Sequence, residues 1–218
     1  MKKVFFRNFL FYSLSFVWII ILSTLISLNN KLELHLKTNQ ISTEELDYFF
    51  VYYTHFGDGL FSFILAIVVA FTNIKHGVII FLSFLFSGLI TQIMKHFLFV
   101  EYKRPAYYFL DNNSFHKIEN YAYHMNFSFP SGHATSIFAL TTALSLIYSN
   151  SKSIQVFLFL VAISVSFSRV YLSQHFYIDI LIGAVIGVLC STMIYQILHS
   201  KLNSLNRPLF SYFKGTNI

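Results

Sequence analysis

The sequence predicts an all-α, polytopic membrane protein: six transmembrane helices in one bundle, with both termini on the cytoplasmic side. Three observations carry that expectation. Hydrophobic residues make up 56% of the 218 and charged residues only 11%, with 27 phenylalanines among them, so the chain lacks the polar groups to cover a water-facing surface. The apolar residues gather into six runs, at about 8–28, 57–74, 77–97, 134–149, 154–169 and 177–198, close to the roughly 20 residues that a span requires. The charges, finally, divide unequally between the connections those runs define. The whole of 1–218 is expected to form a single membrane-embedded domain.

The chain opens Met1-Lys2-Lys3 with Arg7 and is then apolar from Phe9 to Leu28. That stretch is too long for the core of a cleaved signal peptide, and no small-x-small pattern closes it, so it reads as an uncleaved first span. In the long connection 29–56, Ser42-Thr43-Glu44-Glu45 places a glutamate three residues after a serine. This resembles a capping box, and a helix is expected to start there. Its Tyr48, Phe49 and Phe50 are expected to lie along the interface before the chain dives in near Gly57-Asp58-Gly59. Short polar connections follow spans two (Asn73, Lys75, His76) and four (Ser149 to Ser153) and suit tight helix hairpins. A second long connection covers 98–132, and the tail 199–218 is basic. Cys190 is the one cysteine and lies in an apolar run, so no internal disulfide forms and a thiolate metal set is excluded.

Charge sets the direction of the spans. With the N-terminus inside, the cytoplasmic side holds Lys2, Lys3, Arg7, Lys75, Lys152, Lys201, Arg207 and Lys214, and no acid. The opposite side holds Lys31, Lys37, Lys95, Lys103, Arg104, Lys117 and Arg169, with all nine acidic residues. Three of those seven cations, Lys95, Arg104 and Arg169, have a separate explanation as site residues, which leaves eight against four and favours both termini inside. The net charge of +6 comes with no basic run or basic–aromatic stripe, so it argues for cytoplasmic loop charge and an anion site rather than for nucleic acid.

Polar residues that gather at one membrane depth are the strongest functional clue in such a chain. Lys95 with Arg104-Pro105, then Pro130-Ser131-Gly132-His133, then Ser168-Arg169 with His175 and Asp179 all fall at the outer ends of spans three to six. Each has a role if the ligand is a phosphate. Lys95, Arg104 and Arg169 supply fixed positive charge, the arginines with two donors at once. Pro130 can precede a helix that Ser131 caps, and Gly132 leaves its backbone open, so the first N–H groups point at the anion. His175 and Asp179 stand four apart and share a helix face. Asp179 can hold one ring nitrogen of His175 and leave the other free as a nucleophile, while protonated His133 donates to the departing alkoxide. No metal or other cofactor is required. The other histidines, His35, His55, His76, His96, His116, His124 and His199, read as structural or interfacial.

At these residues the sequence resembles the type-2 phosphatidic acid phosphatase superfamily, whose membrane members share a site design with vanadium haloperoxidases. The family carries three motifs: Lys-six residues-Arg-Pro, Pro-Ser-Gly-His, and Ser-Arg-five residues-His-three residues-Asp. The second matches at Pro130 to His133 and the third from Ser168 through His175 to Asp179. The first departs: eight residues separate Lys95 from Arg104, and Phe97 stands at the usual lysine position. Lys95 is the expected equivalent, with Lys103 as the rival. The resemblance implies a phosphohistidine on His175, Asp179 as its partner, His133 as general acid, and phosphate contacts from Lys95, Arg104, Ser131, Gly132 and Arg169.

The expectation is therefore a histidine-dependent lipid phosphatase of the bacterial inner membrane with its site facing the periplasm. Its substrate would be a lipid phosphomonoester or diphosphate: undecaprenyl diphosphate, lipid A, phosphatidylglycerophosphate or phosphatidate. A phosphatase of a soluble phosphomonoester, a non-catalytic phospholipid-binding protein on the same scaffold, and vanadate-dependent halide oxidation are the alternatives. The intact His133, His175 and Asp179 speak against mere binding, since binding needs only the cations.

Overall fold

A computed structural model of the protein describes residues 6–148 and 151–212. Lys2, Lys3, Lys214 and Ser149, used above for charge and connection, lie outside the described residues. Among the described residues nine α-helices follow one another: α1 Phe9–Leu28, α2 Lys31–Asn39, α3 Glu44–Tyr53, α4 Gly59–Thr72, α5 Ile74–Ile93, α6 Pro105–Phe109, α7 Gly132–Ile147, α8 Lys152–Tyr171 and α9 Tyr177–Leu198. No strand occurs among the described residues. A 3₁₀ turn, Thr54–Gly57, joins α3 to α4, and a π-turn, Met94–Leu98, extends α5.

Among the described residues four helices are long and apolar enough to cross a membrane by themselves: α1, α5 with its π-turn, α8 and α9. A fifth span results if the pair Glu44–Gly57 and Gly59–Thr72, bent by 55°, is taken as one. The expected fourth span is α7, which has only 16 residues. Its position in the bundle accounts for its composition. Twelve of its residues are buried, including Thr135, Thr141, Thr142 and Ser145, because α5, α8 and α9 pack around it. By contrast α1 buries only Phe11, Ser15 and Leu22 and turns Phe16, Val17, Ile20 and Ile21 outward. The core between α4, α5, α7 and α8 is apolar, with Ala66, Val69, Ile80, Ile137, Phe138, Leu140 and Val165 in contact.

Small residues set the closest approach in the bundle. A Cβ at Gly183 of α9 would stand 2.6 Å from the Ser131 carbonyl oxygen, so glycine lets α9 lie against the start of α7. The helix after 29–41 begins one residue later than a Ser42 cap would give. Thr43 holds the N-cap, its hydroxyl accepting from the Leu46 N–H at 3.3 Å. The long loop 98–131 is tied to α2 and α3 through His116. Its Nε2 lies 2.6 Å from Asp47 Oδ2, its N–H donates to Asn39 Oδ1 at 2.8 Å, and the Tyr171 hydroxyl donates to Asp47 Oδ1 at 2.7 Å. His116 is thus a structural histidine, as the sequence suggests.

Candidate active site

The chain ends α8 and begins α9 through a tight reversal that carries His175. Ser173 adopts a left-handed conformation (φ 53°). The Gln174 N–H donates to the Arg169 carbonyl and the Ser173 N–H to the Val170 carbonyl, both at 3.0 Å, the pairing of a Schellman turn. The His175 N–H also donates to the Arg169 carbonyl at 3.0 Å. The motif spacing from Arg169 to His175 is therefore one helix terminus folded back on itself. His175 and Asp179 are 2% and 1% exposed, with His175 Nδ1 3.3 Å from Asp179 Oδ2. The same oxygen accepts from the Phe176 N–H at 2.9 Å and the Ser128 hydroxyl at 2.5 Å. A carboxylate so held is fixed in place before any substrate arrives.

The start of α7 docks on this pair. The Ser131 N–H donates to the Asp179 carbonyl at 3.0 Å, and the Ser131 hydroxyl, at the N-cap, accepts from Ala134 N–H at 3.4 Å. A Cβ at Gly132 would meet nothing within 4 Å, so the first turn of α7 is open on that side. His133, next in the turn, lies with Nε2 2.9 Å from Asp58 Oδ1.

Three cations converge on His175. Burial, and then the charges of Arg104, Lys95 and Arg169, hold its imidazole well below the usual histidine range, so the ring is neutral at physiological pH. Burial and the same three cations also lower His124 of the outer loop. The positive potential therefore extends to a pocket of about 350 Å³ lined by Lys95, His96, Arg104, His124, Met125, Asn126 and Phe127. Arg104 is brought down to about 10 by burial and by Arg169 and keeps its charge. It is held by the Asn126 carbonyl at 2.8 Å, Gln174 Oε1 at 2.9 Å and the Gln174 carbonyl at 3.2 Å. Arg169 is 7% exposed and donates to Thr54 Oγ1 at 2.8 Å. Its Nε, like Asp179 Oδ1, is buried with no hydrogen-bond partner among the described residues.

The displaced lysine has a local cause. Met94–Leu98 is a π-turn, with the Phe99 N–H donating to the Met94 carbonyl at 2.9 Å, and such a turn accommodates extra sequence in a helix. Lys95 is 8% exposed within it, whereas Phe97 is 78% exposed and faces outward. Lys103 instead donates to Asn126 Oδ1 at 2.7 Å and lies over Tyr107. All eight residues singled out in the sequence thus stand in one region at one end of α5, α7, α8 and α9. Sequence reasoning missed Ser128, Gln174, Thr54 and Asp58. Of these only Asp58, an acid at the start of an apolar run, carries a signal in the sequence.

A family model described as PAP2 superfamily matches residues 76–202. Among solved structures, LpxE of Aquifex aeolicus is similar at a TM-score of 0.64 and 26% identity, over 76% of this chain and 94% of that one. A transmembrane PAP2-type phosphatidylglycerolphosphate phosphatase of Bacillus subtilis is similar in fold at a TM-score of 0.63 and 22% identity, over 88% and 97%. No curated protein sequence matches significantly.

Proposed function

The chain belongs to the PAP2 superfamily, and from that premise we propose that it is an integral membrane lipid phosphatase working through a phosphohistidine on His175. The observation that carries this reading is the convergence of Lys95, Arg104 and Arg169 on a buried, neutral His175 already engaged by Asp179. A buried arginine nitrogen without a partner, at the same place, fits an anion that completes the set.

Roles follow from which atoms are engaged. Asp179 occupies Nδ1 of His175, so Nε2 attacks phosphorus. Lys95, Arg104, Arg169 and the open first turn of α7, at Ser131 and Gly132, bind the phosphoryl oxygens and neutralise the charge that builds in the transition state. His133 protonates the departing alkoxide, and a water then cleaves the nitrogen–phosphorus bond to release phosphate. These groups complete the cycle without a metal.

A lipid substrate is supported by the site's place at the end of an apolar bundle, beside an α3 that exposes Tyr48, Phe49 and Tyr52. A lipid phosphomonoester or diphosphate is the class: phosphatidylglycerophosphate, phosphatidate, lipid A or undecaprenyl diphosphate. The name of the Bacillus subtilis neighbour, a phosphatidylglycerolphosphate phosphatase, lends weight to the first. The acid-free set Arg7, Lys75, Lys152, Lys201 and Arg207 at the far end of the bundle favours six spans, both termini in the cytoplasm and a site facing the periplasm.

The test is release of phosphate by purified protein in EDTA from a panel of those lipids, with competitive inhibition by vanadate. His175→Ala is expected to lower turnover by roughly 10³-fold or more. Undiminished activity in that variant would exclude the mechanism, and turnover restricted to a water-soluble phosphomonoester would exclude the lipid.

A further inference from the structure

Asp58 stands at the bend between the turn Thr54–Gly57 and α4, in the N-cap position of α4 with extended backbone (φ −68°, ψ 143°). An aspartate there ordinarily accepts an N–H from the first turn of its helix. This one makes no side-chain cap hydrogen bond. Its carboxylate is given to two histidines instead: Oδ1 lies 2.9 Å from His133 Nε2, and Oδ2 lies 2.7 Å from His55 Nδ1. The bend is built to deliver it. A Cβ at Gly57 would stand 2.9 Å from Val165 Cγ1 and 3.0 Å from His133 Cβ, so the turn reaches His133 because that residue is glycine. Arg169 fixes the same turn through Thr54.

We infer that Asp58 is the positioning residue of the general acid, forming a second histidine–aspartate pair opposite the first. The inference rests on the phosphatase reading above. An ionised carboxylate only accepts hydrogen bonds, so His133 Nε2 keeps its proton and Nδ1 is the nitrogen that exchanges one with the substrate. As the His175 Nε2–phosphorus bond forms and the phosphorus–oxygen bond to the lipid breaks, the Nδ1 proton passes to the departing alkoxide. The water that next cleaves the nitrogen–phosphorus bond returns a proton to Nδ1. Before the first step and after the second Asp58 opposes the charge of the ring, and between them it keeps the neutral ring in register through Nε2. The groups that face His133 are Asp58 and His55 from the bend, Arg169 from α8 and His175 from the α8–α9 turn. Among them Asp58 alone opposes the positive charge of Arg169.

A proton donor matters most when the leaving group is a poor one. An alkyl lipid oxygen needs the proton, whereas p-nitrophenolate leaves without it. Asp58→Asn is therefore expected to lower kcat on dioctanoyl phosphatidate roughly 10- to 100-fold and on p-nitrophenyl phosphate at least about fivefold less. The alkaline limb of the kcat–pH profile should move to lower pH, and Asp58→Glu should recover part of both effects. Unfolding temperatures of the variants, measured alongside, report the integrity of the bend. Equal losses on the two substrates, or an unshifted alkaline limb, would make Asp58 a structural tie and overturn the inference. A wild-type protein that turns over neither substrate would sink the phosphatase reading, and the inference with it.

Discussion

At the scale of single residues, two buried histidines are kept neutral by their surroundings. His35 is fully buried, with Nε2 3.0 Å from Ser173 Oγ, and burial followed by the charge of Lys31 takes it down to about 3. His175 is lowered by burial and by the site cations. Both therefore bind a proton more weakly in the folded chain than in the unfolded one. Stability is full above the unfolded value near 6.5 and is lost as pH falls below it, by up to about 1.4 kcal/mol per pH unit for each group. The unfolding temperature of the detergent-solubilised protein should thus drop between pH 7 and pH 5, and less steeply in His35→Gln. A flat profile would contradict the burial of these rings. The motif residues were legible because their chemistry is written in short spacings such as His175 to Asp179. Asp58 was not, because its partner His133 is distant in sequence and meets it only through the bend at Gly57.

At the scale of elements, the π-turn Met94–Leu98 sets which lysine faces the candidate site. It turns Lys95 inward and Phe97 out, while Lys103 is spent on Asn126. Lys95→Met is expected to weaken vanadate inhibition about tenfold or more, the value of one charged hydrogen bond, while Lys103→Met stays within about twofold. The reverse ranking would transfer the role. The sequence revealed that two residues were surplus between lysine and arginine. It could not reveal how the helix absorbs them, since a π-turn has no residue signature comparable to a cap or a glycine. The starts of α3 and α7 were read to within a residue or two, because Thr43 and Ser131 cap them in the ordinary way. The reversal after α8 was hidden because Ser173 takes a conformation more often given to glycine.

At the scale of the molecule, charge and hydropathy predict a site at one face of the membrane, and labelling checks it. Single cysteines at the exposed positions Lys37 and Asn113, in a Cys190→Ser background, should react with an impermeant maleimide on intact cells. One at Lys201 should react only after permeabilisation, and the opposite pattern would invert the protein. The apolar runs made the membrane class plain from composition alone. The position of α7 was not plain, because a helix surrounded by others carries threonines and serines that dilute its hydropathy. Its length has a mechanical consequence. Sixteen residues rise only about 24 Å, against roughly 30 Å of hydrocarbon. Helices α5, α8 and α9 surround it, so the shortfall falls inside the protein rather than against lipid.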